Sequence, residues 1–355
     1  MSESLTNRTL KVVSVSTRAI SSVESFNDLL QEVDPSQIFV LTDSNTVAHC
    51  LPRFEESYLG GTPYSSISVE AGEESKSIEV AEEVWQILIE ANADRSSLLI
   101  SLGGGMITDL GGFVASTYKR GIASLLVPTT HLSMTDAAIG GKTGVNYSEL
   151  KNQIGTVHDA EGVLVDSTFL ETLPHRELKS GFIETVKHGL IANVELWNEL
   201  RDGDVLSLSK NAELIKRSLL IKDEMAKKDR HDHGIRQALN FGHTVGHALE
   251  ADAKILHGEA VAFGTVAELF LSHKICALPH EHLVEAVDYL KQNFDVPVDK
   301  IDEASLLNKM YNDKKNRNGN IRFTLIPNIG KVKIGINVDE ETILESIRFA
   351  AVQML

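Results

Sequence analysis

The segment Ser97-Leu-Leu-Ile-Ser-Leu-Gly-Gly-Gly-Met-Ile-Thr-Asp109 decides the fold. Its first six residues are an apolar run of strand length that passes straight into three glycines and then into helix-period sequence. Outward from it the same alternation recurs. Gln37–Asp43 is a second apolar run closed by a polar turn, and Ser77–Asn92 places Ile78, Ala81, Trp85, Leu88 and Ala91 on one helical stripe. Short strands are expected at Ser124–Val127 and Gly162–Val165. This is the signature of βαβ units and hence of a parallel, Rossmann-like sheet.

The pattern changes after Pro174, because the next proline is Pro279 and the stretch between them is helical in period. Helices are expected at Leu178–Ile191, Lys210–Lys227, Gly234–Ala251, Gly258–Cys276 and Glu281–Phe294, and Ile321–Ile326 reads as part of a small hairpin. The expectation is an α/β domain over 1–174 followed by a mainly α-helical domain over 175–355.

Composition excludes several classes. Lys and Arg number 34 against 50 Asp and Glu, a formal net charge of −16, which disfavours nucleic-acid or anionic-membrane partners. Hydrophobic content of 42% and charged content of 24% fit a globular chain and argue against disorder. Cys50 and Cys276 are too few and too far apart for a disulfide scaffold, and no stretch has the length and apolarity of a membrane span or secretory signal. A cytoplasmic protein is the expectation.

Gly103, Gly104 and Gly105 stand where a strand ends and a helix opens, a place where free N–H groups and the helix dipole suit a diphosphate. An ordinary tight turn would use the same glycines, and the GxGxxG spacing is absent. Asp43 and Asn45 end an earlier strand, where a carboxylate can accept ribose hydroxyls. Gly140-Gly141-Lys142-Thr143 resembles a P-loop ending but has Asp136 where that motif needs a glycine, so an ATPase is rejected and a backbone nest with an adjacent cation remains. Glu184 and Lys187 share a helix face. His243, His247 and His257 crowd one region, and with a glutamate from another helix they can complete a divalent site for which zinc is the default. Spacing nominates His243 and His247 but does not settle the pair, and the HExxH motif is missing. Arg120, Lys142, Lys151, Lys187, Lys222, Arg236, Lys314 and Lys315 are cations beside glycine, histidine or polar motifs in an acidic chain. As a group they suggest a polyanionic small substrate.

These motifs, in order, make the chain resemble the 3-dehydroquinate synthase family from about residue 37 to residue 330. They are Gly-Gly-Gly-x-x-x-Asp109, Lys-Arg120-Gly, Val-Pro-Thr129-Thr130, Asp136, Gly-Gly-Lys142-Thr-Gly-Val-Asn, Lys151-Asn152, Glu184-x-x-Lys187, Lys222, Arg236-x-x-x-Asn240-x-Gly-His243-x-x-Gly-His247, His257-Gly-Glu and Asp313-Lys-Lys. The resemblance implies an NAD-binding domain, a helical domain carrying zinc or cobalt, and a homodimer with its active site in the cleft. It implies conversion of 3-deoxy-D-arabino-heptulosonate 7-phosphate to 3-dehydroquinate and phosphate in the shikimate pathway. Transient oxidation at C5 would acidify the C6 proton and allow phosphate to leave; reduction and an intramolecular aldol would follow.

By the same resemblance Glu184, His243 and His257 are the metal ligands, and Asp136, Lys187 and His247 the catalytic groups. Arg120 from a neighbouring subunit, Lys142, Asn152, Asn240 and one of Lys314 or Lys315 would hold phosphate, with Lys222 and Arg236 clamping the carboxylate. For NAD it selects Asp43, Asn45, Glu73, Lys76, Gly103, Gly104, Gly105, Asp109, Thr129, Thr130, Lys142, Lys151, Thr172 and Leu173. His131 and His188 depart from the family's frequent leucine and tyrosine, and the connection from His247 to His257 is short. The competing readings are another sugar phosphate cyclase, of the 2-deoxy-scyllo-inosose or valiolone type, and an NAD-linked, metal-dependent polyol dehydrogenase.

Overall fold

The computed structural model describes residues 18–20, 22–148, 150–251, 255–311 and 321–355. Its strands in chain order are β1 (Arg18–Ile20), β2 (Ile38–Asp43), β3 (Ser65–Val69), β4 (Leu98–Gly103), β5 (Ala123–Pro128), β6 (Lys142–Tyr147), β7 (Leu150–Val157), β8 (Gly162–Leu164), β9 (Arg322–Asn328) and β10 (Lys331–Asn337). The chain divides into two compact units: residues up to Leu173 together with Lys210–Lys227, and Pro174–Ser209 together with Lys228–Leu355. The helical pattern alone assigns Lys210–Lys227 to the second unit, whereas the helix Ala212–Lys228 packs largely with the first.

Among the described residues, the first unit holds a six-stranded, all-parallel sheet in the order β1-β8-β5-β4-β2-β3. Every residue of β2 and β4 is buried, as expected of parallel strands covered on both faces. Phe39, Leu41 and Leu99 pack with Val84 and Leu88 of the helix Ile78–Glu90 and with Ile107, Leu110 and Val114 of the helix Gly105–Thr117. From β2 the chain steps outward to β3, then returns to place β4 on the other side of β2. The strand order therefore reverses between β2 and β4, and a ligand crevice belongs beyond their carboxyl ends.

Gly140 and Gly141 are left-handed, but Lys142 opens β6, so the run expected to form an anion nest leads into the antiparallel β6–β7 hairpin. Further close packing fixes the helix that follows β4. A Cβ on Gly111 would lie 2.0 Å from Ser101 Oγ and 2.9 Å from Ser101 Cβ on that strand.

The second unit is helical with one hairpin, β9 against β10, which extends beyond the expected Ile321–Ile326 segment. Its main helices are His175–Ala192, His257–Cys276, His280–Asn293 and Glu340–Met354. The single helix expected over Gly234–Ala251 is two elements. A 3-10 turn, Ile235–Asn240, is followed by a helix, His243–Glu250, with Gly242 between them at φ 80°. No described helix is long and apolar enough to cross a membrane.

Gly111→Ala should lower stability by about 1–3 kcal/mol through overpacking against Ser101. Denaturant unfolding measures it, and an unchanged midpoint would show that the sheet yields at this contact.

Candidate active site

Glu184 sits in the middle of the helix His175–Ala192 with no exposed surface. Its Oε2 accepts a hydrogen bond from the Lys187 ammonium one turn on, and that side chain is only 1% exposed. The pair is therefore buried, and the surface salt link that the spacing also allows is not what forms. Glu184 Oε1 has no hydrogen-bond donor. It faces His243 Nε2 at 3.6 Å and His257 Nε2 at 3.5 Å. These three residues each offer a ligand atom within 4.8 Å of the others, a set that could hold a divalent ion.

Both imidazoles are oriented through their second nitrogen. His243 Nδ1 lies 3.1 Å from Phe241 O, and His257 Nδ1 lies 3.0 Å from Glu250 Oε2. Donation at Nδ1 leaves Nε2 as the nitrogen that would bind a metal once it is unprotonated. His247, Glu250 and His257 also fall within 4.8 Å of one another, but Glu250 is engaged on the outer nitrogen of His257. The ring of His247 lies 5.0 Å from His243 and 5.8 Å from His257. Burial works against charge on Glu184, yet Lys187, His243 and His257 outweigh it and hold the carboxyl well below its usual range. Burial likewise opposes charge on His257, but Glu184 and Glu250 push it up to about 10.

Glycines bring these helices together. A Cβ on Gly258 would lie 1.8 Å from Ser180 O, and one on Gly264 would lie 2.0 Å from Gly242 O. Glu259 fixes the entry of the helix bearing His257: its Oε2 accepts from Leu256 N at 2.8 Å, and Arg176 grips both oxygens at 2.6 and 2.9 Å. Arg236 is 3% exposed, with Nη1 donating to Arg230 O at 3.2 Å. Asp229 organises the preceding loop by accepting from the N–H groups of His233, Gly234 and Arg236 at 3.0, 2.6 and 3.2 Å. Asn240 ends that 3-10 turn and is half-buried. Lys314 and Lys315 lie outside the described residues.

In the first unit several of the residues selected for NAD stand at the carboxyl ends of strands: Asp43 ends β2, Gly103 ends β4 and Thr129 follows β5. Gly103 lies opposite Pro128, its carbonyl accepts from Thr129 N at 2.9 Å, and the helix opening at Gly105 has no side-chain cap, which leaves its first N–H groups for a ligand. A Cβ on Gly104 would come within 3.2 Å of Thr130 Cγ2, so the turn is also tightly packed. Asp43 Oδ1 accepts from Asn45 N and Thr46 N at 2.9 and 2.8 Å; Asn45 is exposed. Lys76, 4% exposed, bridges Asp109 Oδ2 at 2.5 Å and Asn152 Oδ1 at 2.6 Å, while Glu73 Oε1 accepts from Asn146 Nδ2 at 2.8 Å. Cys50 was not singled out by the sequence. Burial pushes its thiol up to about 11, despite hydrogen bonds with the hydroxyls of Thr129 and Thr172. Leu173 follows Thr172, half-buried.

Asp136 and Lys222, assigned to different tasks by resemblance, pair at 2.8 Å. Lys142 and Lys151 are exposed at opposite ends of the hairpin strands, and Asn152 adopts φ 55°. Arg120 is exposed, with Lys119, Arg120 and Gly121 all at positive φ, in an open cleft shared with Asp94, Arg95 and Thr117. His131 and His188 are fully buried.

A parallel α/β unit with an uncapped glycine turn, coupled in sequence to a helical unit with a Glu-His-His cluster, defines the class of dehydroquinate synthase-like cyclases. The 2-epi-5-epi-valiolone synthase of Streptomyces hygroscopicus, solved with NAD+ and Zn2+ bound, matches at a TM-score of 0.85 and 25% identity, over 97% of this chain and 99% of that one. Within the class, residues 66–180 match the 3-dehydroquinate synthase N-terminal family and residues 181–316 the C-terminal family. The 3-dehydroquinate synthase of Parabacteroides distasonis is 42% identical over 331 residues, 91% of this chain and 93% of the relative. That of Solibacter usitatus is 37% identical over 322 residues, covering 88% and 90%. The chain belongs to the 3-dehydroquinate synthase family.

A divalent ion at this cluster must displace the proton that His257 holds up to about pH 10 in the metal-free protein. Apparent zinc affinity should therefore rise with pH through neutrality, by up to about tenfold per unit, with roughly one proton released per ion. Calorimetry in buffers of different ionisation enthalpy reads both, and a pH-independent affinity would show that metal binding displaces no proton from His257.

Proposed function

We propose that the chain converts 3-deoxy-D-arabino-heptulosonate 7-phosphate to 3-dehydroquinate and inorganic phosphate. The observation that carries this reading is the fully buried Glu184 oxygen with no donor, faced by two imidazole nitrogens, in a chain 42% identical to a 3-dehydroquinate synthase over nearly its whole length. Glu184, His243 and His257 would hold zinc, or cobalt in its place, and the crevice around Gly103–Gly105 would hold NAD+. When bound, the metal supplies Lewis acidity to the substrate's hydroxyl oxygens and NAD+ a reversible hydride acceptor, so that no cofactor is consumed.

The chain's own residues supply the rest. The helix N-terminus at Gly105 receives the cofactor diphosphate, and Lys76 with Asp109 fixes the wall beside it. Lys187 neutralises the inward oxygen of Glu184 and keeps the outward one aimed at the metal position. Asp136 and Lys187 orient hydroxyls, and His247 carries a proton at the phosphate end. Arg236 and Lys222 take the substrate carboxylate; a planar guanidinium suits that task, and substrate would replace Asp136 as the partner of Lys222. Lys142, Asn152, Asn240 and Lys314 or Lys315 take the phosphate. Arg120, exposed on its left-handed turn, would reach the neighbouring copy in a cytoplasmic homodimer. A neutral polyol offers no carboxylate or phosphate for Arg236, Lys142 or Lys222 to bind, which disfavours the dehydrogenase reading.

The decisive assay supplies the heptulosonate phosphate with catalytic NAD+ and follows phosphate, NADH and the carbocyclic product. Stoichiometric phosphate and 3-dehydroquinate without net NADH, abolished by chelator and restored by zinc, is the expected result. Sustained NADH accumulation would make the protein a dehydrogenase, and absence of phosphate release from the metal-loaded enzyme would move the search to other sugar phosphates. Arg236→Ala should raise KM about 10- to 100-fold, the worth of a charge-assisted hydrogen bond, with a smaller effect on kcat. An unchanged KM would remove Arg236 from the carboxylate site.

A further inference from the structure

Glu268 lies three turns along the helix His257–Cys276 and has no exposed surface. Its Oε2 accepts the N–H of Gly242 at 2.8 Å, and its Oε1 accepts the N–H of Thr244 at 3.1 Å. Those are the residues on either side of His243. We propose that Glu268 is a positioning residue for the metal centre: it pins the first turn of the helix His243–Glu250 and so aims His243 Nε2 at Glu184.

The start of a helix leaves N–H groups without intrahelical partners, and here the capping position is Gly242, which has no side chain to supply an acceptor. Burial at Gly242 makes such an orphaned donor costly. A carboxylate from the neighbouring helix meets the need, and its charge matches the positive end of the helix dipole. Gly242 itself must be glycine, since φ is 80° and a Cβ would lie 2.3 Å from Thr265 Oγ1. The turn at His243, flexible at its glycine, is thus held from outside by two charge-assisted bonds, one on each side of the histidine. The helix that delivers one imidazole, His257, also sets the direction of the other. Ser272, one turn beyond Glu268, donates from Oγ to Glu268 O at 2.7 Å and accepts from Ile326 N at 3.0 Å, so it supports the same helix without touching the turn at His243.

The inference rests on Glu184, His243 and His257 as the metal ligands, and the test separates the two. Zinc-free wild type, Glu268→Gln and Ser272→Ala are compared for zinc affinity by chelator competition, for the visible spectrum of the cobalt-loaded protein, and for thermal unfolding in chelator. The amide of Gln can accept only one of the two N–H groups. Glu268→Gln should therefore weaken zinc binding about tenfold or more and alter the cobalt spectrum, while Ser272→Ala lowers the unfolding temperature and leaves both intact. Wild-type affinity and spectrum in Glu268→Gln would overturn the proposal. So would equal changes in Ser272→Ala, which would mark a general loosening of the helix. If Glu268→Gln does not fold, Glu268→Asp keeps the charge with a shorter reach; weakened zinc binding supports the proposal and unchanged binding refutes it. Full retention of metal by His257→Ala would instead refute the ligand assignment beneath it.

Discussion

Backbone contact between helices in the second unit is the constraint on which the Glu-His-His cluster depends. Packed helices ordinarily lie 8–10 Å apart with side chains between them. Closer approach lets an imidazole from one helix, an imidazole from the next and a carboxylate from a third meet at one point. Gly258 against Ser180 and Gly264 against Gly242 remove the intervening atoms, and Gly246, whose Cβ would lie 3.0 Å from Ala260 O, does the same a turn later. Each contact brings a ligand-bearing turn closer to its partner. Packing and coordination are one problem in this unit.

Charge is distributed with equal economy. A carboxylate without exposed surface carries a desolvation penalty of roughly several kcal/mol, and Glu184 meets it unevenly. One oxygen is satisfied within its own helix by Lys187, and the other is left facing two nitrogens whose rings are oriented by their outer partners, Phe241 O and Glu250. The arrangement disfavours a neutral occupant and favours a cation. In the first unit Lys76 plays the corresponding part, holding Asp109 and Asn152 from strands and helices that are distant in sequence.

The sheet was legible because its central strands are buried on both faces and read as uninterrupted apolar runs; Ile38–Asp43 and Leu98–Gly103 differ from the expected strands only at their ends. The helix expected over Gly234–Ala251 was not one helix, because apolar period does not report the left-handed turn at Gly242. Lys210–Lys227 read as helix, but helical period says nothing about which unit a helix joins. Within the site, histidine density marked the region, while the choice among three imidazoles depends on where each Nε2 points, which spacing does not encode. Glu250 and Glu259 fell inside the motifs without being given a role, and Glu268 was not singled out, because acids are plentiful in this chain. For Glu268 a signal existed: an acid set inside the apolar run Phe263–Leu271 has no solvent to face and must have a partner.

The excursion of Lys210–Lys227 into the first unit has a biosynthetic consequence. A chain emerging amino-terminus first completes the sheet of that unit once β8 has been made, but the helix Ala212–Lys228 arrives only after the opening helices of the second unit have also appeared. The first unit therefore waits, with Asp136 lacking Lys222 beside it, while its neighbour begins to form. A gene fragment ending at Leu173 would encode a permanently unfinished module, and the two units are coupled in the order of their making.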